Sequence, residues 1–139
     1  MPHTFYTECS YFTAAKYTRE ITRIANQDFK PTGMPAAYSY ILLALEDYQD
    51  LSVAQLVDIL GYERSSLMRI LDKLVKKNLI NIEQMNHKNI ISLSDQSSAT
   101  LKLANECLQQ YSKHSEELLS QSVQSQLTHR LVQATSKLN

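Results

Sequence analysis

The residues best equipped for recognition chemistry are bases crowded into one short stretch. Residues 61–88 hold Arg64, Arg69, Lys73, Lys76, Lys77 and Lys88 against three acids, whereas 31–60 hold Glu46, Asp47, Asp50 and Asp58 and no Lys or Arg. The formal net charge of zero therefore hides a local positive patch. Around it stand small hydroxyls and polar groups suited to phosphates and base edges: Ser52, Ser65, Ser66, His87 and the amphipathic Met68. An arginine at position 69 can donate two parallel hydrogen bonds to guanine O6 and N7. Arg64, Lys73 and Lys88 suit phosphates, where they add affinity and salt dependence but little sequence information. A solvated helix face is the competing reading of such charge, and Asp72, three residues after Arg69, offers it an ion-pair partner.

Position on a scaffold decides between these readings. Only two glycines and three prolines punctuate the 139 residues, which predicts long helices and a mainly α fold in one domain. Apolar spacing predicts a first helix from Thr4 to about Asp28. The Lys30–Pro35 stretch then breaks the pattern, and a buried second helix follows with Pro35 in its first turn. Ser52-Val53-Ala54-Gln55 reads as a capping box that opens a third, short helix, and Gly61 ends it through a left-handed backbone. The fourth helix turns Leu67, Ile70, Leu71 and Leu74 inward and Ser65, Met68, Arg69, Asp72 and Lys76 outward, with Asn78 as its αL terminator. Two helices joined by so short a Gly-containing turn make a helix-turn-helix.

Beyond Asn78 the period changes to two. Ile80 and Ile82, then Ile91 and Leu93, alternate with polar residues about Asn86-His87-Lys88-Asn89, a short hairpin wing. Helical spacing resumes from Asp95 in two helices that lack an apolar partner within the chain. Leu118, Leu119, Leu127, Leu131 and Leu138 are their candidates for a homodimer contact.

The run Leu51–Ile80, with L-S-x-x-Q-L, then L-G, R-S-S-x-x-R-x-L and L-x-K-x-N-L-I, resembles the MarR family of winged helix-turn-helix transcriptional regulators. Ser92-Leu93-Ser94 resembles the start of that family's long fifth helix. The resemblance implies a six-helix winged helix-turn-helix, with 35–94 as the DNA-binding lobe and 1–30 and 95–139 as dimerisation helices. It implies a sequence-specific regulator, a repressor released by a small ligand, that binds a pseudo-palindromic site on double-stranded DNA as a homodimer. Glu63 stands where the family has a capping Asp, Asn78 where it has Gly, and the wing lacks the family's arginine. A winged helix that contacts protein instead of DNA is the alternative in another class. The family's effector pockets also give Tyr11, Tyr17 and Tyr38 a candidate role in binding an aromatic ligand, against ordinary packing. Cys9 is the candidate for thiol-based redox sensing, although alignment on Arg19-Glu20-Ile21-Thr22 puts Tyr11 at the position of the family's sensing cysteine.

Other chemistries find little support. Cys9 and Cys107 form no metal-ligand spacing, and His114, Glu117 and His129 supply only part of a zinc site. No nucleotide-binding glycine loop, nucleophile elbow or H-E-x-x-H motif occurs, so neither catalysis nor a cofactor is expected. Without a leader-like start or a long apolar run, the expected location is the cytoplasm, away from any membrane.

Overall fold

The computed structural model describes residues 2–139. Its seven helices and small sheet give the mainly α winged helix-turn-helix expected from the sequence. Helix α1 (Phe5–Glu8) and helix α2 (Ser10–Asp28) occupy the stretch read as one helix, and Cys9 separates them with an extended backbone (φ −90°, ψ 116°). The break is held from both sides. The Cys9 carbonyl accepts from the Thr13 N–H (3.0 Å) and hydroxyl (2.9 Å), while Phe5 stacks edge-on against Phe12 at 4.9 Å, turning α1 back onto α2.

After a 3-10 turn at Lys30–Thr32, Gly33 takes the left-handed conformation (φ 74°), and helix α3 runs Ala36–Tyr48. Pro35 is the residue before α3, one place earlier than expected; its carbonyl accepts from Tyr38 N–H. The Asn26 side chain of α2 accepts from the Ala36 N–H at 2.9 Å and so caps α3 from outside. Helix α3 is buried as its apolar pattern requires, with Ile41, Leu42 and Leu45 fully inaccessible.

Strand β1 (Leu51–Ser52) leads directly into helix α4 (Val53–Leu60), and helix α5 spans Arg64–Lys76. The capping box is present in both directions: Gln55 N–H donates to Ser52 Oγ (3.2 Å) and Ser52 N–H to Gln55 Oε1 (2.9 Å). Gly61 ends α4 at φ 69°, and Asn78 follows α5 at φ 61°. Leu67, Leu71 and Leu74 are buried, while Ile70 is only half-buried. The Tyr62 hydroxyl donates to the Ala37 carbonyl at 2.8 Å, fastening the turn between α4 and α5 to α3.

Strands β2 (Ile80–Met85) and β3 (Lys88–Leu93) form the wing, antiparallel from Ile80↔Leu93 to Met85↔Lys88. Its two-residue turn, Asn86-His87, has both φ values positive (52° and 65°), as a type I′ hairpin requires. Histidine at the second place carries backbone strain of about 1 kcal/mol that glycine would avoid. Strand β1 adds a third strand, in the order β1-β3-β2, through Leu51↔Ile91 and Ser52↔Ile90.

Helix α6 (Ser98–Leu119) and helix α7 (Gln121–Leu138) complete the chain. Asn105 of α6 donates to Glu46 of α3 at 3.1 Å, and His114 of α6 meets both carboxylate oxygens of Asp28 at 2.9 and 3.2 Å. The main core joins α3, α4, α5 and the sheet, and a smaller one gathers Phe29, Ala36 and Cys107 between α2, α3 and α6. Leu118, Leu131 and Leu138 are exposed, while Leu119 and Leu127 are half-buried. Among the described residues no helix is long and apolar enough to cross a membrane.

Candidate nucleic-acid interface

Helix α5 carries its charge on the side away from the core because the apolar residues at 67, 71 and 74 fix its rotation. Arg64, Ser65, Arg69, Asp72 and Lys73 are exposed, and Ser66 is half-buried. Met68 differs from the outward reading: it is half-buried and packs against the main core. Arg69 is not spent on Asp72. Its guanidinium donates to Ser66 Oγ at 3.4 Å, a contact at the limit of hydrogen bonding, and among the described residues no ion pair joins it to an acid. The guanidinium thus remains free for an outside partner.

The wing folds down beside the start of α4, because β3 pairs with β1 and the Ser52 cap follows immediately. A cleft of about 210 Å³ results, lined by Ser52, Val53, Ala54, Arg64, His87, Lys88 and Asn89. Four of the residues chosen from sequence therefore meet: a hydroxyl, a guanidinium, an imidazole and an ammonium. No carboxylate lines the cleft. Such a set presents donors to an anion, and phosphate oxygens match it in charge. Lys73, further along α5, is outside the cleft. Val53, Ala54 and Asn89 were missed by sequence reasoning, having no charge to mark them; the capping box sets Val53 and Ala54 just after Ser52, and only the β1–β3 pairing brings Asn89 to them.

The three tyrosines do not share a site. Tyr11 is 83% exposed, Tyr38 packs against the main core, and Tyr17 lies near Tyr111 in the junction between α2 and α6. There burial, followed by the proximity of Tyr17, Tyr40 and Asp28, raises the Tyr111 pKa, and burial alone raises those of Tyr17 and Tyr40. His114 engages Asp28 here, and among the described residues no three His, Cys, Asp or Glu side chains gather as metal ligands. Sequence reasoning missed Asp28, since its partner lies on the other side of the chain. Cys9 is half-buried and Cys107 buried, both as free thiols.

Residues 32–84, containing the helix-turn-helix and most of the wing, match the model of the MarR family. The winged-helix segment of this chain is similar to the MarR family. The whole chain also has a MarR-type fold. It superposes on CouR, a transcriptional repressor bound to a 23-mer DNA duplex, with a TM-score of 0.83 at 18% identity, covering 97% of this chain and 98% of CouR. The ligand-free form of the organohalide-sensing regulator RdhR gives 0.81 at 18% identity over 99% of this chain and 86% of RdhR. A mutant MarR from E. coli, complexed with operator DNA, gives 0.78 at 16% identity over 95% of this chain and 99% of that one. At these identities the likeness is one of fold. Among curated protein sequences none matches this chain. Within the MarR-type lobe, α5 is the second helix of the helix-turn-helix and β2–β3 is the wing.

Proposed function

We propose that this MarR-type chain is a sequence-specific, DNA-binding transcriptional regulator that works as a homodimer. The observation that carries the reading is the convergence of Ser52, Arg64, His87 and Lys88 in one acid-free cleft, together with an exposed Arg69 on α5 that forms no ion pair among the described residues. In this reading α5 enters the major groove, Arg69 reads a guanine, with Ser65 and Ser66 near the base edges, and the cleft and Lys73 hold phosphates. Two copies related by a two-fold axis present two such helices, so the site is pseudo-palindromic with half-sites roughly one helical turn apart. The exposed leucines of α6 and α7 and the apolar start of the chain supply the dimer contact, with 1–30 and 95–139 as the dimerisation part and 35–94 as the DNA-binding part.

Regulation follows the same reading: the chain is a cytoplasmic repressor released by a small molecule. Support comes from the neighbours, since CouR is a repressor and RdhR is also known in a form bound to 2,4-dichlorophenol. A ligand that favours one spacing of the two recognition helices over another shifts the dimer between binding and released states. No catalytic role is proposed.

Fluorescence anisotropy tests this directly, with DNA from the gene's own upstream region, a scrambled duplex, and Arg69→Ala beside the wild type at several salt concentrations. The expected result is tighter binding to the upstream duplex, a steep fall with salt, and loss of the preference in Arg69→Ala. If neither duplex binds at low salt, the winged helix is a protein-interaction module and the regulator reading is abandoned.

A further inference from the structure

The wing of this chain carries a histidine at its tip, in a cleft whose other charged groups are both cations. We infer that His87 makes DNA binding proton-linked: acidification from pH 8 to pH 6 charges the wing tip and tightens the complex. The inference rests on the DNA-binding reading above and adds a regulation of that same site.

Three observations lead to it. His87 occupies the second position of the Asn86-His87 turn at φ 65°, so its side chain is held at the apex of a rigid two-residue hairpin and not on a loose loop. It lines the same cleft as Arg64 from the start of α5 and Lys88 from β3, while the start of α4 contributes the uncharged Ser52, Val53 and Ala54. The carboxylates on the neighbouring elements, Asp50, Asp58, Glu63 and Glu83, are not among the lining groups. Nothing in the cleft therefore neutralises a protonated imidazole. A phosphate brought into the cleft would.

Imidazole is the side chain whose ordinary charge change falls between pH 5 and 8. A phosphate bound in the cleft rewards the charged form of the side chain. DNA binding then takes up a proton, and by linkage the affinity rises as pH falls. Each additional phosphate neutralised steepens the dependence of log K on log salt by about 0.9. For a dimer with two wings the slope should steepen by up to about 1.8 between pH 8 and pH 6. At 0.1 M salt that is up to roughly tenfold in affinity per wing.

The test is anisotropy of the full chain on its upstream duplex at pH 8 and pH 6 over a salt series, for wild type, His87→Asn and His87→Arg. Asparagine accepts a left-handed backbone, so His87→Asn keeps the turn while removing the titratable group. Arginine fixes a charge at the tip and provides a second variant should the first misfold. Expected are a wild type that tightens and steepens at pH 6, an Asn variant that has lost the part of the change due to the wing, and an Arg variant tight at both pH values. A wild type indifferent to pH, or an Asn variant with the full wild-type response, overturns the proton link while leaving DNA binding standing. Absence of binding at both pH values removes the DNA-binding reading, and this inference with it.

Discussion

Replacement of Gly61 by alanine should cost about 1 kcal/mol, and the magnitude follows from backbone alone. Gly61 sits in the three-residue turn of the helix-turn-helix at φ 69°, and a Cβ added there meets no atom within 4 Å. Steric overlap is thus removed from the reckoning. What remains is the left-handed conformation, which costs an L-residue roughly 1–2 kcal/mol. Against it stands the smaller conformational freedom of unfolded alanine, about 0.4–1 kcal/mol in the opposite direction. Over 139 residues the unfolding entropy is about 0.3 kcal/mol per kelvin, so the expected fall in Tm is about 3 °C at fixed protein concentration. Gly61→Asn, which tolerates the same backbone, should lose less than half as much. Urea denaturation of both variants followed by circular dichroism measures the difference, and DNA binding below the transition should match wild type. A loss above about 3 kcal/mol for alanine, or an equal loss for both variants, would refute the argument, since only an unseen contact or another backbone conformation would account for it.

Leu71→Ala, at a position with no solvent exposure in the main core, should cost about 2–5 kcal/mol in urea unfolding; a loss under 1 kcal/mol would contradict the packing of α5. Tyr62→Phe removes the hydroxyl bonded to the Ala37 carbonyl and should cost about 1 kcal/mol at neutral pH. Burial, reinforced by Tyr40, pushes the Tyr62 pKa up to about 12 from the usual 10.0. Its neutral form therefore stabilises the fold fully below pH 10, and that contribution is lost as the pH rises toward 12. Wild type should lose stability over this window more steeply than Tyr62→Phe; parallel alkaline profiles would count against it. Iodoacetamide at neutral pH should modify half-buried Cys9 before Cys107, whose thiol pKa is raised chiefly by burial and further by Glu106 and Asp28 against an opposing Thr32 backbone bond. Mass spectrometry showing Cys107 alkylated first would reverse that order.

What the sequence made legible was what neighbouring residues decide among themselves. Ser52 and Gln55 are three apart and cap each other; Gly61 and Asn78 end helices by their own backbone preferences. The break at Cys9 escaped notice because the apolar spacing continues across it, and only the folding of Phe5 against Phe12 shows why the chain bends there. Strand β1 escaped for a stronger reason. Two residues have no period, and Leu51 and Ser52 are a strand only because Ile90 and Ile91 pair with them.

The candidate site shows the same division between residue type and assembly. Arg64, His87 and Lys88 were recognisable by their chemistry, yet spacing along the chain does not place residue 87 beside residue 52. The β1–β3 register does: with Leu51 opposite Ile91, a two-residue turn from Met85 to Lys88 leaves the wing tip beside the start of α4. Had the hairpin slipped by one residue, the side chains of β3 would have exchanged faces, exposing Ile91 and disrupting the core. The burial of Ile91 thus sets where His87 and Lys88 stand. A core residue with no recognition chemistry thereby fixes the geometry of the polar cleft, which is why reading charged residues alone found the members of the site but not its shape.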